Sequence, residues 1–277
     1  MISIITPSYG QLAWLRLAMA SVADQSGVNF EHIVQDGGTE GIEAMFPPMP
    51  HASGAKLFVE KDEGMYDAIN RGLARVEGEI CGHLNSDEQY LPGTLREVES
   101  FFAAHPSTDV VFGDAILVDA EGNPISYRRA IPPSLVHLRL ADLNTLTCAT
   151  FFSRRVVQGG HLFPTHLKIA GDQFWIFHLM KAGAKMAVLP KPLSVFTFTG
   201  DNLSQSAQAA FEKFGWLPQD ENPRRALTPL VVAAHRFRKL LAGAYRRRDI
   251  QIEIYTRQNP TARTRISAKR VGFQWPS

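Results

Sequence analysis

The stretch Glu79-Ile80-Cys81-Gly82-His83-Leu84 is a short apolar run that leads directly into Asn85-Ser86-Asp87-Glu88. The apolar run predicts a buried strand, and the polar residues mark its end. Two adjacent carboxylates at a strand end point in different directions, so one can meet a sugar hydroxyl while the other reaches a metal ion. Mg²⁺ is commonly held by one or two carboxylates together with phosphate oxygens. Because Asp and Ser are also frequent in turns, a solvated turn is the alternative interpretation.

The same order of an apolar run followed by polar residues occurs twice upstream. Ile2–Thr6 is followed by Pro7-Ser8-Tyr9, and Phe30–Val34 is followed by Asp36-Gly37-Gly38-Thr39. Further strands are predicted at 56–60 and 109–112, and helices at 12–22, 65–76 and 92–104. Strands that alternate with helices predict a parallel α/β sheet. In such sheets ligands bind outside the carboxyl ends of the strands, where these polar residues lie.

The alternation weakens beyond residue 112. Gly122-Asn123-Pro124 predicts the turn of a hairpin. Two more strands, Thr147–Ser153 and Pro190–Thr199, flank a predicted helix at Gly171–Ala182. This second half therefore indicates a different arrangement from the first.

Two further segments carry candidate functional residues. Within Asp62–Gly72, Asp67 and Asn70 are three residues apart and share one face of a predicted helix. Asp172 stands at the start of the next predicted helix, beside Phe174. It fits an N-cap, and it also fits a general base at the rim of a cleft.

Composition predicts a folded intracellular protein. The 277 residues are 45% hydrophobic and 20% charged, which excludes disordered and fibrous classes. Two cysteines do not make a disulfide framework, and no run of about 18 apolar residues predicts a membrane span. The first residues lack the features of a secretory signal.

The net charge of +2 is very unevenly distributed. Residues 1–222 hold 16 Lys or Arg and 25 Asp or Glu, whereas residues 223–277 hold 13 Lys or Arg and two acids. Arg236, Arg238, Lys239 and Arg246–Arg248 flank Phe237 and Leu240, which predicts a basic helix suited to an anionic membrane surface. The alternative is a helix whose cations pair with the acidic body. No nucleic-acid-binding pattern occurs, so a nucleic-acid partner is not expected.

Taken in order, the motifs resemble those of glycosyltransferase family 2, in the branch that builds bacterial O-antigens and exopolysaccharides. The resemblance rests on five motifs and covers about residues 1–205. They are Ile4-Ile5-Thr6-Pro7-Ser8-Tyr9, Asp36-Gly37-Gly38-Thr39, Asp62–Gly72, Leu84-Asn85-Ser86-Asp87-Glu88, and Cys148-Ala149-Thr150-Phe151-Phe152 with Asp172.

The resemblance implies an α/β fold of the GT-A type, with a mostly parallel sheet flanked by helices. Residues 1–112 would bind the nucleotide, residues 113–205 would bind the acceptor, and residues 206–277 would form a basic helical extension. The implied activity is inverting sugar transfer from a UDP- or dTDP-type donor to a glycan, lipid-linked, in surface polysaccharide synthesis. Such an enzyme would be cytoplasmic, and the basic extension would place it on the inner face of the membrane.

The resemblance also assigns roles to individual residues. Thr6, Pro7 and Tyr9 would line the nucleotide pocket, and Asp36 would accept a hydrogen bond from a uracil-like base. Ser86, Asp87, Asp67 and Asn70 would complete the nucleotide-sugar site. Glu88, with Asp87, would hold a divalent cation, Mg²⁺ or Mn²⁺. Asp172 would be the general base.

Two positions depart from the family pattern. Glu88 stands where many members have a second Asp, and Cys148 stands where relatives often have His. These departures keep open a catalytically weak nucleotide-sugar-binding protein. A sugar nucleotidyltransferase is a further alternative, but Pro7-Ser8-Tyr9-Gly10 is not the Gly-rich phosphate loop that such enzymes normally carry.

Overall fold

The computed structural model describes residues 1–46, 54–200, 202, 212 and 226–276. Their main element is one nine-stranded sheet with the strand order β3-β2-β1-β4-β8-β6-β9-β5, and β7 pairs with β6. The strands of this sheet are β1 (Ile2–Ser8), β2 (Phe30–Asp36), β3 (Ala55–Val59), β4 (Ile80–His83), β5 (Glu88–Tyr90), β6 (Val110–Asp119), β7 (Pro124–Arg128), β8 (Thr150–Ser153) and β9 (Met186–Phe198). The helices are α1 (Leu12–Ala23), α2 (Met65–Leu73), α3 (Thr94–Ala104), α4 (Leu135–Leu140), α5 (Arg154–Gln158), α6 (Gly171–Lys181) and α7 (Thr228–Leu241).

The first half of the sheet is parallel and is covered by helices on both faces. β1 pairs in parallel with β2 and β4, and β2 pairs in parallel with β3. Successive β1 side chains point to opposite faces, so Ile4 packs with the α1 and α3 residues while Ile5 packs with α2 and α6. β1 is buried along its whole length: its isoleucines pack in the core, and the buried hydroxyls of Ser3 and Thr6 are hydrogen-bonded to Glu31 and His32.

The second half of the sheet is mixed, which modifies the expectation of a mostly parallel sheet. β8 is antiparallel to both β4 and β6, and β5 is antiparallel to β9, while β6 and β9 are parallel. β6 runs through residue 112 without a break, so the expected nucleotide and acceptor halves share one sheet.

The C-terminal extension contains a helix and a hairpin rather than a helix alone. α7 ends at Leu241, and Arg246 and Arg247 lie beyond it because Gly243, with φ +69°, turns the chain. The hairpin strands β10 (Arg248–Ile254) and β11 (Thr264–Val271) pack their apolar side against β6 and β7. The predicted boundary at 205–206 lies outside the described residues. Within the described ranges, no helix is long and apolar enough to cross a membrane.

Candidate active site

A cavity of about 460 Å³ opens at the carboxyl ends of β1 and β4, where the sheet rule predicts a ligand site. The start of α2 and the start of α6 close it on the other side. Of the predicted site residues, the cavity wall includes Pro7, Tyr9, Ser86, Asp87 and Asp172. Thr6, Asp36, Asp67, Asn70 and Glu88 are not part of this wall.

Asp87 and Glu88 lie at different depths. Asp87 contributes to the cavity wall, and Glu88 is 1% exposed at the start of β5. Oε2 of Glu88 accepts a hydrogen bond from the Asn85 N–H at 2.8 Å, and Oε1 is buried with no hydrogen-bond partner among the described residues. Burial raises the pKa of both carboxyl groups, and the charge of Asp87 raises the pKa of Glu88 further. The Asp87 carboxylate therefore faces the cavity, and the Glu88 carboxylate is buried behind the cavity wall.

Asp172 is the second residue of α6 and not its N-cap, which is Ala170. Its Oδ1 accepts a hydrogen bond from the Gln173 N–H at 2.7 Å. Its backbone N–H donates to the hydroxyl of Tyr66 at 3.2 Å, and that hydroxyl donates to the carbonyl of Ile169 at 2.7 Å. Tyr66 of α2 thus fixes the backbone that carries Asp172.

The segment that leads into α6 is held by a second contact. The buried carboxylate of Glu212 accepts hydrogen bonds from the backbone N–H groups of Lys168, Ile169 and Ala170, at distances of 2.7–3.1 Å. An anion at this place also suits the positive end of the helix. The backbone that leads to Asp172 is therefore held by hydrogen bonds to both Tyr66 and Glu212.

The end of β1 contributes Pro7 and Tyr9 to the cavity but not Thr6. The Thr6 side chain is fully buried, and its Oγ1 forms a 2.8 Å hydrogen bond with Nε2 of His32. Tyr9 is exposed and lines the cavity entrance. The prediction for Thr6 is therefore corrected to a place beneath the cavity.

Asp36 uses its carboxylate to build the turn after β2. It accepts hydrogen bonds from the Gly38 N–H, the Thr39 N–H and the Thr39 hydroxyl, at 2.9, 2.5 and 2.8 Å. The turn itself reaches the site, since a Cβ on Gly37 would lie 3.0 Å from Oδ2 of Asp62 and 3.2 Å from the Tyr9 ring. Asp62, and not Asp36, presents a carboxylate to the cavity.

Asp62 is a wall residue that the sequence analysis did not single out. The only sequence signal for it is its position directly after β3, at the same sheet edge as the other polar groups. Burial raises its pKa, and the Gly64 N–H donates to its Oδ1 at 2.9 Å. A half-buried carboxylate next to Tyr9 can accept a hydrogen bond from a ligand.

Asp67 and Asn70, both on α2, form hydrogen bonds within the protein. Asp67 accepts hydrogen bonds from the Glu63 N–H at 3.0 Å and from Nε of Arg71 at 3.1 Å. Asn70 forms a pair of hydrogen bonds with the backbone of Phe163, at 2.8 and 2.9 Å. The two residues do stand three positions apart on α2, but neither is part of the cavity wall.

Cys148 also lies away from the cavity, and its neighbour Thr147 lines it. The thiol is fully buried, and the hydroxyl of Ser194 donates to Sγ at 3.1 Å. Burial raises the pKa of the thiol well above its usual value, which keeps it neutral.

The cavity wall carries more negative than positive charge. Its described residues include three carboxylates, Asp62, Asp87 and Asp172, and one cationic side chain, Lys168. The Lys168 ammonium donates to the carbonyl of Glu63. Burial lowers the pKa of His83 to about 4, so this histidine adds no charge near neutral pH. A bound diphosphate would need a further positive charge.

The sequence profile of glycosyl transferase family 2 matches residues 3–158, which is more than half of the chain. The chain belongs to glycosyltransferase family 2. The matched range includes β1, Asp36 and the Asp87-Glu88 pair, and it ends before Asp172.

Curated relatives of the chain are glycosyltransferases by name. A PGL/p-HBAD biosynthesis glycosyltransferase of Mycobacterium bovis is 35% identical over 124 residues, which are 42% of this chain and 47% of the relative. A putative teichuronic acid biosynthesis glycosyltransferase, TuaG of Bacillus subtilis, is 24% identical over 77% of this chain and 85% of the relative. The matched part spans about half the length of the mycobacterial relatives.

Two solved structures share the GT-A-type fold of this chain. TarS 1–349 of S. aureus in complex with UDP-GlcNAc superposes with a TM-score of 0.59, at 21% identity, over 74% of this chain and 61% of that one. The mannosyltransferase PcManGT of Pyrobaculum calidifontis, in complex with GDP-Man and Mn²⁺, gives a TM-score of 0.53 at 17% identity, over 76% and 59% of the two chains.

Proposed function

We propose that this family 2 glycosyltransferase moves a sugar from a nucleotide diphosphate sugar to an acceptor hydroxyl, with inversion at the anomeric carbon. The observation that carries the proposal is that Asp87 and Asp172 line one cavity, although 85 positions separate them. The first follows β4 on the nucleotide side, and the second stands on α6, which closes the other side. One cavity thus offers a group for the donor and a group for the acceptor.

The nucleotide would bind beside Pro7, Tyr9 and Asp62. An aromatic ring supplies a surface for stacking, and the Asp62 carboxylate can accept the imide N–H of uracil or thymine. UDP and dTDP present the same imide edge, so either base fits this argument. TarS of S. aureus was solved with UDP and with UDP-GlcNAc, which supports the uridine donor as the first to test.

A divalent cation fits the charge and the donor groups of the site. Asp87 supplies a single carboxylate to the wall, and no three His, Cys, Asp or Glu side chains converge on one ion among the described residues. Mg²⁺ or Mn²⁺ would therefore be shared between Asp87 and the diphosphate of the donor. When bound, the ion supplies a positive charge that stabilises the departing diphosphate.

Asp172 would act on the acceptor. Its carboxylate would take the proton from the acceptor hydroxyl as the oxygen attacks the anomeric carbon from the side opposite the diphosphate. A single displacement inverts the configuration and needs one base. The hydroxyl of Tyr66, which contacts the backbone at Ile169 and Asp172, keeps that carboxylate in place.

The acceptor would be a lipid-linked glycan of bacterial surface polysaccharide synthesis, at the cytoplasmic face of the membrane. The names of the Bacillus and mycobacterial relatives refer to the biosynthesis of teichuronic acid and of PGL/p-HBAD, which supports this class of acceptor. The open cavity, with Thr147, Phe196 and Asn202 on its wall, offers both polar and aromatic contacts to a sugar ring.

Release of nucleoside diphosphate tests the proposal. The full chain is incubated with UDP- and dTDP-sugars, with and without Mn²⁺, and slow donor hydrolysis is followed. Metal-dependent release that Asp172→Asn lowers is the expected result. Binding of sugar nucleotides without any release would instead indicate a sensor. Release of pyrophosphate from a nucleoside triphosphate and a sugar phosphate would indicate a nucleotidyltransferase.

A further inference from the structure

The outward side of α7 is apolar, which is the reverse of an ordinary surface helix. Its large apolar side chains are 52–72% exposed. They are Leu227, Leu230, Phe237, Leu240 and Leu241. Phe237 lies seven residues after Leu230, and Leu240 and Leu241 lie three and four residues after Phe237, so the four form a single stripe along the helix. This stripe is called the α7 face below.

The inward side of α7 is fixed to the body of the protein. The imidazole of His235 is buried and stacks on that of His137 in α4, with ring centroids 3.6 Å apart. The Arg238 guanidinium donates to the carbonyl of Pro132 at 2.6 Å. These contacts set the rotation of the helix, so the α7 face is held outward. Val136 of α4, which precedes His137, is 54% exposed.

The charged side chains of α7 itself and of the turn that follows it are all of one sign. The sequence from residue 226 to residue 248 contains six Lys or Arg and no Asp or Glu. Lys239 and Arg248 turn toward the protein, over the rings of Tyr245 and Tyr127. Arg236, Arg246 and Arg247 are exposed. An exposed apolar stripe with exposed arginines beside it matches a surface that is anionic outside and apolar within.

We propose that the α7 face docks on an anionic lipid bilayer, with Phe237 and the leucines in the boundary between headgroups and acyl chains. The arginines would contact lipid phosphates. A partner protein with an apolar groove would not need three exposed cations, which is why the bilayer is favoured. The inference deepens the proposed function, since membrane docking would bring a lipid-linked acceptor to the cavity, but the binding itself does not depend on sugar transfer.

Co-sedimentation of the full chain with vesicles tests the inference. Vesicles of phosphatidylcholine are compared with vesicles that contain about 30% phosphatidylglycerol, because an anionic fraction is what the arginines would recognise. We expect binding to the anionic vesicles, little binding to the neutral ones, and weakening by salt. Equal binding to both, or none to either, would overturn the proposal.

Two variants separate the apolar and the charged contributions. Phe237→Ser with Leu241→Ser should weaken binding by at least about tenfold, since two large apolar side chains no longer enter the bilayer. Arg246→Gln with Arg247→Gln should weaken it about 25-fold, because each arginine near an anionic surface contributes about fivefold. Leu162→Ser, and Lys185→Gln with Lys269→Gln, are matched controls, since these residues are exposed elsewhere and should leave binding unchanged.

Each remaining outcome is decisive. If the Phe237 and Leu241 variant binds vesicles like the wild type but changes the oligomeric state, the α7 face is an interface between copies and the proposal is wrong. Nucleoside diphosphate release by the same variants is measured in parallel, in solution and without vesicles. Vesicle binding without any release would leave this inference standing and remove the proposed function, and the opposite result would do the reverse.

Discussion

The side chain of Gln89 forms two hydrogen bonds with the backbone of Tyr255. Its Nε2 donates to the carbonyl oxygen at 2.9 Å, and its Oε1 accepts from the N–H at 2.9 Å. Gln89 is buried in β5, two residues after Asp87, and Tyr255 directly follows β10. The C-terminal hairpin is thus fastened to the strand that follows the proposed donor-binding residue.

A second fastening lies beside the first. Nε and Nη2 of Arg263 donate to the two carboxylate oxygens of Asp24, at 2.5 and 2.7 Å, and the Tyr255 hydroxyl donates to the same carboxylate at 2.8 Å. Nη1 of Arg263 donates to the carbonyl of Tyr90 at 3.0 Å. The hairpin therefore belongs to the structure that supports the cavity.

Replacing Gln89 tests this support. Gln89→Leu removes both hydrogen bonds and leaves the N–H and carbonyl of Tyr255 buried without a partner. Each unsatisfied group costs about 1–3 kcal/mol, so we expect the free energy of unfolding to fall by about 2–6 kcal/mol. Urea unfolding measures it. Gln251→Leu, at an exposed position of β10, is the control and should change stability little; a similar loss in both variants would contradict the argument.

The pair Asp87 and Glu88 should respond differently to loss of charge. Asp87→Asn removes the carboxylate from the cavity wall, and we expect it to abolish the Mn²⁺ dependence of nucleoside diphosphate binding. Glu88→Gln resembles the protonated form that burial favours, so metal-dependent binding should be retained. Isothermal titration with UDP, with and without Mn²⁺, compares the two. If only Glu88→Gln lost the Mn²⁺ dependence, Glu88 and not Asp87 would be the metal ligand.

The proposed base can be separated from donor binding. Asp172→Asn keeps the size of the side chain and removes its basicity, and a positioned base contributes about 10²–10⁴-fold. We expect kcat to fall by that factor while UDP binding is unchanged. Glu43→Gln, which neutralises an exposed carboxylate away from the cavity, is the control. Near wild-type turnover in Asp172→Asn would remove this residue from the mechanism.

Buried histidines make stability depend on pH. Burial lowers the pKa of His32 and of His83 to about 4, whereas an unfolded histidine titrates near 6.5. Between pH 6.5 and 4, the two histidines are therefore protonated in the unfolded chain and neutral in the folded chain. The stability from each group is complete above pH 6.5 and is lost as pH falls toward 4, by up to about 3 kcal/mol.

A ring that does not titrate tests this pH dependence. His83→Phe keeps a ring for the edge contact with Phe163, and the decrease in unfolding free energy between pH 7 and pH 4.5 should become smaller. His105→Gln, at an exposed position, should leave the decrease unchanged. The raised pKa values of Asp87 and Glu88 act with the opposite sign, so the variants are compared with the wild type and not with zero. The same decrease in all three proteins would contradict the prediction.

The edge of the parallel sheet was predictable because its rule is simple. A strand that is buried on both faces is rich in apolar residues, and a cluster of polar residues marks its end, as at Ile2–Ser8 and Ile80–His83. Parallel strands end at one edge, so Pro7, Ser86 and Asp87 were expected together and do share the cavity.

Other parts were not predictable because they depend on which way a side chain faces. Spacing shows that Asp67 and Asn70 share a helix face, but only the structure shows that Asn70 bonds the backbone of Phe163 and that Asp67 bonds Arg71. Asp87 lies in the turn after β4, and the next residue, Glu88, already begins strand β5. Because β5 has only three residues, it gives no periodic pattern from which the burial of Glu88 could be predicted. In the extension, the many arginines favoured the prediction of a basic helix, although Ile250, Ile252 and Ile254 alternate with polar residues. That alternation is typical of a strand.

Gly171 and Tyr66 form a linked pair of positions. A Cβ on Gly171 would lie 2.5 Å from the Tyr66 ring, closer than any real contact. An alanine there would displace the ring whose hydroxyl contacts Ile169 and Asp172. Anyone who redesigns the acceptor side of this cavity must therefore exchange both residues together: a larger residue at 171 requires a smaller one at 66, and with it another way to orient the carboxylate.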